Sequence, residues 1–119
     1  MLTKEQILGA GQPHVEVVPI AALGGDVPIR HMPGIARDAL QETLRTEGTS
    51  DSIYFAALMV AAIVDAAGLP VFTEDDMLEL RALDYGVLKT VGQEIQRVNG
   101  IGPKAVETTE GNSGSAPSA

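Results

Sequence analysis

"IYFAALMVAAIV", residues 53–64, runs twelve positions without a charge or an amide. It decides the fold, because a helix that is apolar all round must be covered all round. The cover is lipid, the rest of the same chain, or another protein. Lipid fails on length: crossing hydrocarbon takes roughly 20 apolar residues, and runs of about 10–14 are usually core helices. Asp51 and Asp65 bracket the run, and no basic flank follows it. The expectation is a central helix over residues 53–67, capped by Asp51 or Ser52 and stopped at Gly68. Its length would be about 22 Å. A hairpin and three thin amphipathic helices can bury much of it as a core. The alternative is an interface strip covered by a second subunit or a partner, fronted by Phe55, Met59 and Ile63.

The flanking sequence supplies the cover. "TKEQILGAG" opens with Thr3 as N-cap and Gln6 at the capping-box position, and ends in glycine. "HVEVVPI" alternates, with Val15 and Val17 on one face and His14, Glu16 and Val18 on the other. "DVPIRHM" places Val27 and Ile29 opposite Arg30. Two short alternating runs around Gly24-Gly25 predict a hairpin, or a pair of antiparallel strands. Pro19 and Pro28 confine both strands to edge-like positions, since neither can donate to a ladder. Pro33 suits the first turn of a helix through "GIARDALQETLR". Its stripe is Ile35, Ala36, Ala39, Leu40 and Leu44. After the central helix, "LPVF" is a short extended link. Thr73 is a good N-cap, and Glu74, Asp75 and Asp76 suit the positive end of a helix dipole. Asp84 caps a last helix with Leu88, Val91 and Ile95 at heptad-like spacing, continued by Val98 and ended by Asn99-Gly100. Leu88, Val91 and Ile95 join Phe55, Met59 and Ile63 as candidate interface residues. The expected architecture is α+β: a mainly α-helical small domain over residues 1–110, with an N-terminal β-hairpin packed on four to five helices. "GNSGSAPSA", 111–119, reads as a disordered C-terminal tail.

Composition excludes several classes of function. The 119 residues carry a formal charge of −8, which disfavours nucleic acid and anionic membrane as general partners. There is no cysteine, so no disulfide or thiol chemistry, and metal and redox readings weaken. The N-terminus shows no basic segment followed by an apolar one, so a soluble, cytoplasmic protein is expected. Apolar residues make up 45% of the chain, but only two Phe, two Tyr and no Trp are among them. A core of such small pieces is marginal alone, and burial between copies, hence a homo-oligomer, is expected.

No catalytic, metal or cofactor-binding residue emerges. His14 and His31 can face each other across the hairpin, but a metal needs further ligands at defined geometry. "GAGQPH" has His14 where a dinucleotide fingerprint needs its third glycine, and it precedes a strand instead of joining a strand to a helix. Ser50 and Ser52 lack a nucleophile-elbow motif. The Glu74–Asp76 cluster is explained by helix capping. "VNGIGPKAVE", 98–107, is similar to a helix-hairpin-helix DNA-binding turn, with Gly100, Gly102, Lys104 and Ala105 in its positions. The second helix lacks its apolar residues, however, and Lys104 is the only cation from Gly100 onward. The plainer reading is a helix end at Gly100 and a new short helix from Pro103.

As a whole, the pattern resembles the tail assembly chaperones of long-tailed, non-contractile bacteriophages. The resemblance runs from "MLTKEQILGA" through "VEVVPIAALGGDVPIRHMPGIARDAL" and "AALMVAAIVDAAGLPVFTEDDMLEL" to "IQRVNGIG". In the second piece, the family's strand, proline, Gly-Gly turn, strand arginine and Arg-Asp helix opening correspond to Pro19, Gly24, Gly25, Arg30, Arg37 and Asp38. The following link is matched by Asp65, Gly68, Phe72, Thr73 and Asp76, and the closing Asn-Gly by Asn99 and Gly100. Leu23 stands where an aromatic residue often precedes the turn, and Ala36 where an acidic residue commonly precedes Arg-Asp. The chain after Lys104 lacks the family's charged finish.

The resemblance implies a non-enzymatic role. Proteins of this kind bind the tape measure protein in the host bacterial cytoplasm and keep it soluble until tail tube protein subunits polymerise around it. They are absent from the mature virion, and a frameshifted longer form often accompanies them. The competing classes are another phage tail or connector structural protein and, further off, a small helix-hairpin-helix DNA-binding protein.

Overall fold

A computed structural model describes residues 1–102. The short helix expected at Pro103, Lys104, the boundary at 110 and the tail at 111–119 lie outside the described residues. The elements are α1 (Lys4–Ala10), β1 (Val15–Ile20), β2 (Gly25–Arg30), α2 (Gly34–Glu47), α3 (Asp51–Ala62), α4 (Met77–Arg81) and α5 (Tyr85–Asn99). This is the expected α+β domain, with one antiparallel hairpin packed on helices.

The hairpin register pairs Val17 with Pro28 and Pro19 with Asp26. His31 N–H donates to the His14 carbonyl at 2.7 Å, which fixes the alternation of inward- and outward-pointing backbone groups. Both prolines fall at outward positions, where a missing N–H costs the hairpin nothing. One face is core, with Val18, Ile20 and Ile29 buried; Val15 and Val17 are exposed on the other. A 3₁₀ turn at Ala21–Leu23 and Gly24 at φ 76° join the strands. That left-handed value favours glycine.

The central helix is shorter than the sequence indicates. It begins after Ser50, rather than at a cap on Asp51 or Ser52, and ends at Ala62, well before Gly68. Ile63 and Val64 turn extended instead. Ile63 pairs with Ile29, Val64 N–H donates to the Pro28 carbonyl at 3.1 Å, and Val64 bridges back to Pro70. Both strands remain edges of a two-stranded sheet, as the prolines indicate, and the end of the apolar run covers the outer side of β2 only around Pro28 and Ile29. Consecutive β-branched residues favour this choice, since they fit a strand better than a helix. The return is an Asp65 turn, in which the carboxylate accepts from Ala67 N–H at 2.8 Å and Leu69 N–H at 3.0 Å, with Gly68 at φ 83°.

The stripe of α2 is also narrower than expected. Ala36 and Leu40 are buried and Leu44 half-buried, but Ile35 is 81% exposed, Ala39 is exposed, and Thr43 is buried in their place. The other elements close one core with α3: α5, α2 and α4 pack against it, and the hairpin packs on α5 with its inner face in the same buried cluster. The helix α1 has its predicted capping box, Thr3 N–H to Gln6 Oε1 at 2.9 Å and Gln6 N–H to Thr3 Oγ1 at 3.2 Å, yet buries no residue.

Candidate protein-interaction surface

The six candidate interface residues are brought together, but inside. Phe55, Met59, Ile63, Leu88, Val91 and Ile95 all belong to the one buried cluster, none more than 9% exposed. Heptad-like spacing on α5 thus packs Leu88, Val91 and Ile95 within the chain's own core. Gly92 lets α5 approach closely, because a Cβ there would run into the Phe55 ring.

Two of the six also reach the surface from below. Met59 and Ile63 form part of the floor of a groove of about 380 Å³ between the hairpin tip, the 70–72 link and α4. Its walls include Leu23, Val71 and Leu83, which are 49%, 49% and 41% exposed. Among the described residues, the charged side chains in its lining are Asp76 and Glu79, both acidic. Sequence reading overlooked these wall residues, since single apolar residues in turns carry no periodic signal. The available sign was Leu23, an apolar residue at a turn position where polar ones are common.

A second hollow of about 300 Å³ lies between α2, α3 and the same link, with Phe72 shared between the two. Arg30 stands at its side. Its Nε donates to the Ala61 carbonyl at 3.0 Å, in the last turn of α3, and burial pushes the guanidinium pKa below its ordinary value. Asn99 ties the same open end of the hairpin to α5. Its Oδ1 accepts from Met32 N–H at 2.7 Å, and its Nδ2 donates to the carbonyls of Arg30 at 3.2 Å and Ile95 at 3.1 Å. Arg97 bridges Glu16 at 2.8 Å and Glu94 at 2.9 Å, holding α5 to β1; these two hydrogen bonds raise its pKa. Arg30, Asp65, Arg97 and Asn99 are thus fasteners of the fold, and Gly100, at φ 65°, ends α5.

His14 and His31 do face each other, edge to face at 5.5 Å between ring centres. No group of three or more potential metal ligands gathers among the described residues. The Glu74–Asp76 cluster is a capping device: Thr73 Oγ1 accepts from Asp75 N–H at 3.3 Å, and Asp76 Oδ2 accepts from Thr73 N–H at 2.8 Å. No described helix is long and apolar enough to cross a membrane.

Neither a protein-family model nor a curated protein sequence matches the chain. The fold does match. It superimposes on the bacteriophage HK97 tail assembly chaperone with a TM-score of 0.55, covering 81% of this chain and 93% of that one, at 17% sequence identity. The chain has the fold of a phage tail assembly chaperone. At that identity the likeness rests on backbone architecture. Within the tail assembly chaperone fold of this chain, the acidic-lipped groove is built from a hairpin tip, a link and a short helix around the end of α3.

Proposed function

We propose that this protein is a phage tail assembly chaperone. It binds the tape measure protein without turnover, keeps it soluble in the host bacterial cytoplasm, gives way to tail tube protein and is absent from the mature virion. The observation that carries this reading is the shared architecture with a phage tail assembly chaperone over most of both chains. Exposed apolar side chains around a groove suit a holding function, in which a partner's apolar surface is covered without chemistry. Self-association and a frameshifted longer form belong to the same proposal.

Co-expression with a tape measure protein from the same genome tests the proposal. The expected result is a tape measure protein recovered in the soluble fraction and co-purifying with the chaperone. A tape measure protein that stays insoluble and is not pulled down overturns it. Mass spectrometry of purified virions separates the competing structural-protein reading, which requires stoichiometric copies in the particle.

A further inference from the structure

We infer that the groove between the hairpin tip and α4 receives the apolar face of an amphipathic helix flanked by lysine or arginine. This deepens the chaperone reading and rests on it for the partner's place in assembly, though not for the binding chemistry.

The argument starts from the floor. Met59, Ile63 and Leu80 are core residues, 3%, 6% and 5% exposed, so the groove descends to the core itself. Leu23, Val71 and Leu83 leave its walls in water. An apolar side chain entering there removes apolar surface from water on both sides, which is the main favourable term in such docking.

Backbone pairing decides the occupant's conformation. An extended peptide gains affinity by adding to a free strand edge. The strand segment under this groove has no such edge: Val64 N–H is bonded to Pro28, and the Ile63 carbonyl accepts from Val71 N–H at 3.2 Å. A helix brings its own backbone bonds satisfied and offers side chains at i, i+3, i+4 and i+7, so a helix fits where a strand does not.

Charge decides the occupant's flanks. Asp76 and Glu79 line the groove, and Glu74 and Asp75 stand beside them in sequence, with no cation in the lining among the described residues. Arg81, the nearest cation along α4, is engaged elsewhere, its Nε donating to Ser52 Oγ at 2.9 Å. A second copy of this chain, at −8, brings like charge toward the acidic lip, as do nucleic acid and anionic membrane. A cationic amphipathic helix brings the opposite charge.

The test uses the full chain and three synthetic helical peptides in fluorescence anisotropy: a leucine stripe flanked by lysines, the same stripe flanked by glutamates, and the lysine peptide with its leucines scattered. The lysine-flanked stripe should bind at least ~10-fold more tightly than either control. Glu79→Lys and Leu83→Ser, both at exposed positions and verified as folded by circular dichroism, should each weaken it ~10-fold. Equal binding of the scattered peptide overturns the inference, showing attraction to net charge alone. So does unchanged binding in both variants, or a Leu83→Ser effect confined to self-association in sedimentation, which assigns the groove to a second copy. Co-expression separates the two levels. If both variants solubilise the tape measure protein as well as wild type, the groove inference falls and the chaperone proposal stands. If wild type fails to solubilise it while the peptides follow the expected order, the chaperone proposal falls and the groove stands.

Discussion

Gly92 and Asn99 show how much of this fold rests on single side chains that no periodicity marks. Alanine at 92 improves helix propensity by up to ~1 kcal/mol. Its methyl, however, meets the Phe55 ring, which neighbours the Tyr54 and Tyr85 rings and is only 9% exposed. Overpacking of this kind typically costs ~1–3 kcal/mol, so the clash outweighs the propensity. Gly92→Ala should lower the urea midpoint by a net ~1 kcal/mol or more, and Phe55→Leu in the same chain should recover part of it. A stabilised Gly92→Ala would mean that the Phe55 ring does not press against α5 at Gly92. Asn99→Ala removes the partners of Met32 N–H and the Arg30 carbonyl together, both part-buried. Unsatisfied buried groups cost ~1–3 kcal/mol, and the loss should be read in the same urea titration. Faster amide exchange at Met32 than elsewhere in the hairpin would locate it.

Among the elements, α1 and α3 are opposites. A seven-residue helix with nothing buried relies on its capping box, since isolated helices shorter than ~12–15 residues are marginal in water. Thr3→Ala should therefore fray residues 4–10, visible as faster amide exchange there, while leaving the global unfolding midpoint within ~0.5 kcal/mol. A large global loss would mean that α1 is docked. The central helix depends instead on tertiary partners. Its capping residue makes no side-chain bond, and its length is set by competition with a strand edge. The heptad-like pattern on α5 was readable as apolar spacing; that the seam closes on α3 of the same chain depends on the close approach at Gly92.

For the whole molecule, net charge and exposed apolar surface oppose each other. Ile7, Leu8, Val17, Ile35 and Leu78 are each more than half exposed, which favours association, while −8 charges repel. Salt screens the repulsion, the Debye length falling from ~10 Å at 0.1 M to ~3 Å at 1 M. Sedimentation velocity should show larger species as sodium chloride rises, and binding of the lysine-flanked peptide should weaken over the same range. Association that dissolves with salt would instead point to ionic contacts between copies.

Local features were legible from neighbouring residues alone. Thr3 with Gln6, Thr73 with Asp76, and Asp84 as helix caps, the hairpin around Gly24-Gly25, and the stop at Gly100 all depend on residues a few positions apart. The central place of the apolar run followed as well, because its surface leaves no solvent-facing side. Tertiary structure decided where that run stops being a helix. Ile63 and Val64 satisfy their backbone against β2 and the 70–71 link, partners that local periodicity cannot reveal. It decided likewise that Ile35 stays in water while Thr43 is buried, since a stripe wider than its neighbour leaves its margin uncovered. The groove has the same origin. Leu23, Val71 and Leu83 are isolated apolar residues in the chain, and only the packing of hairpin, link and α4 around the end of α3 makes them one surface.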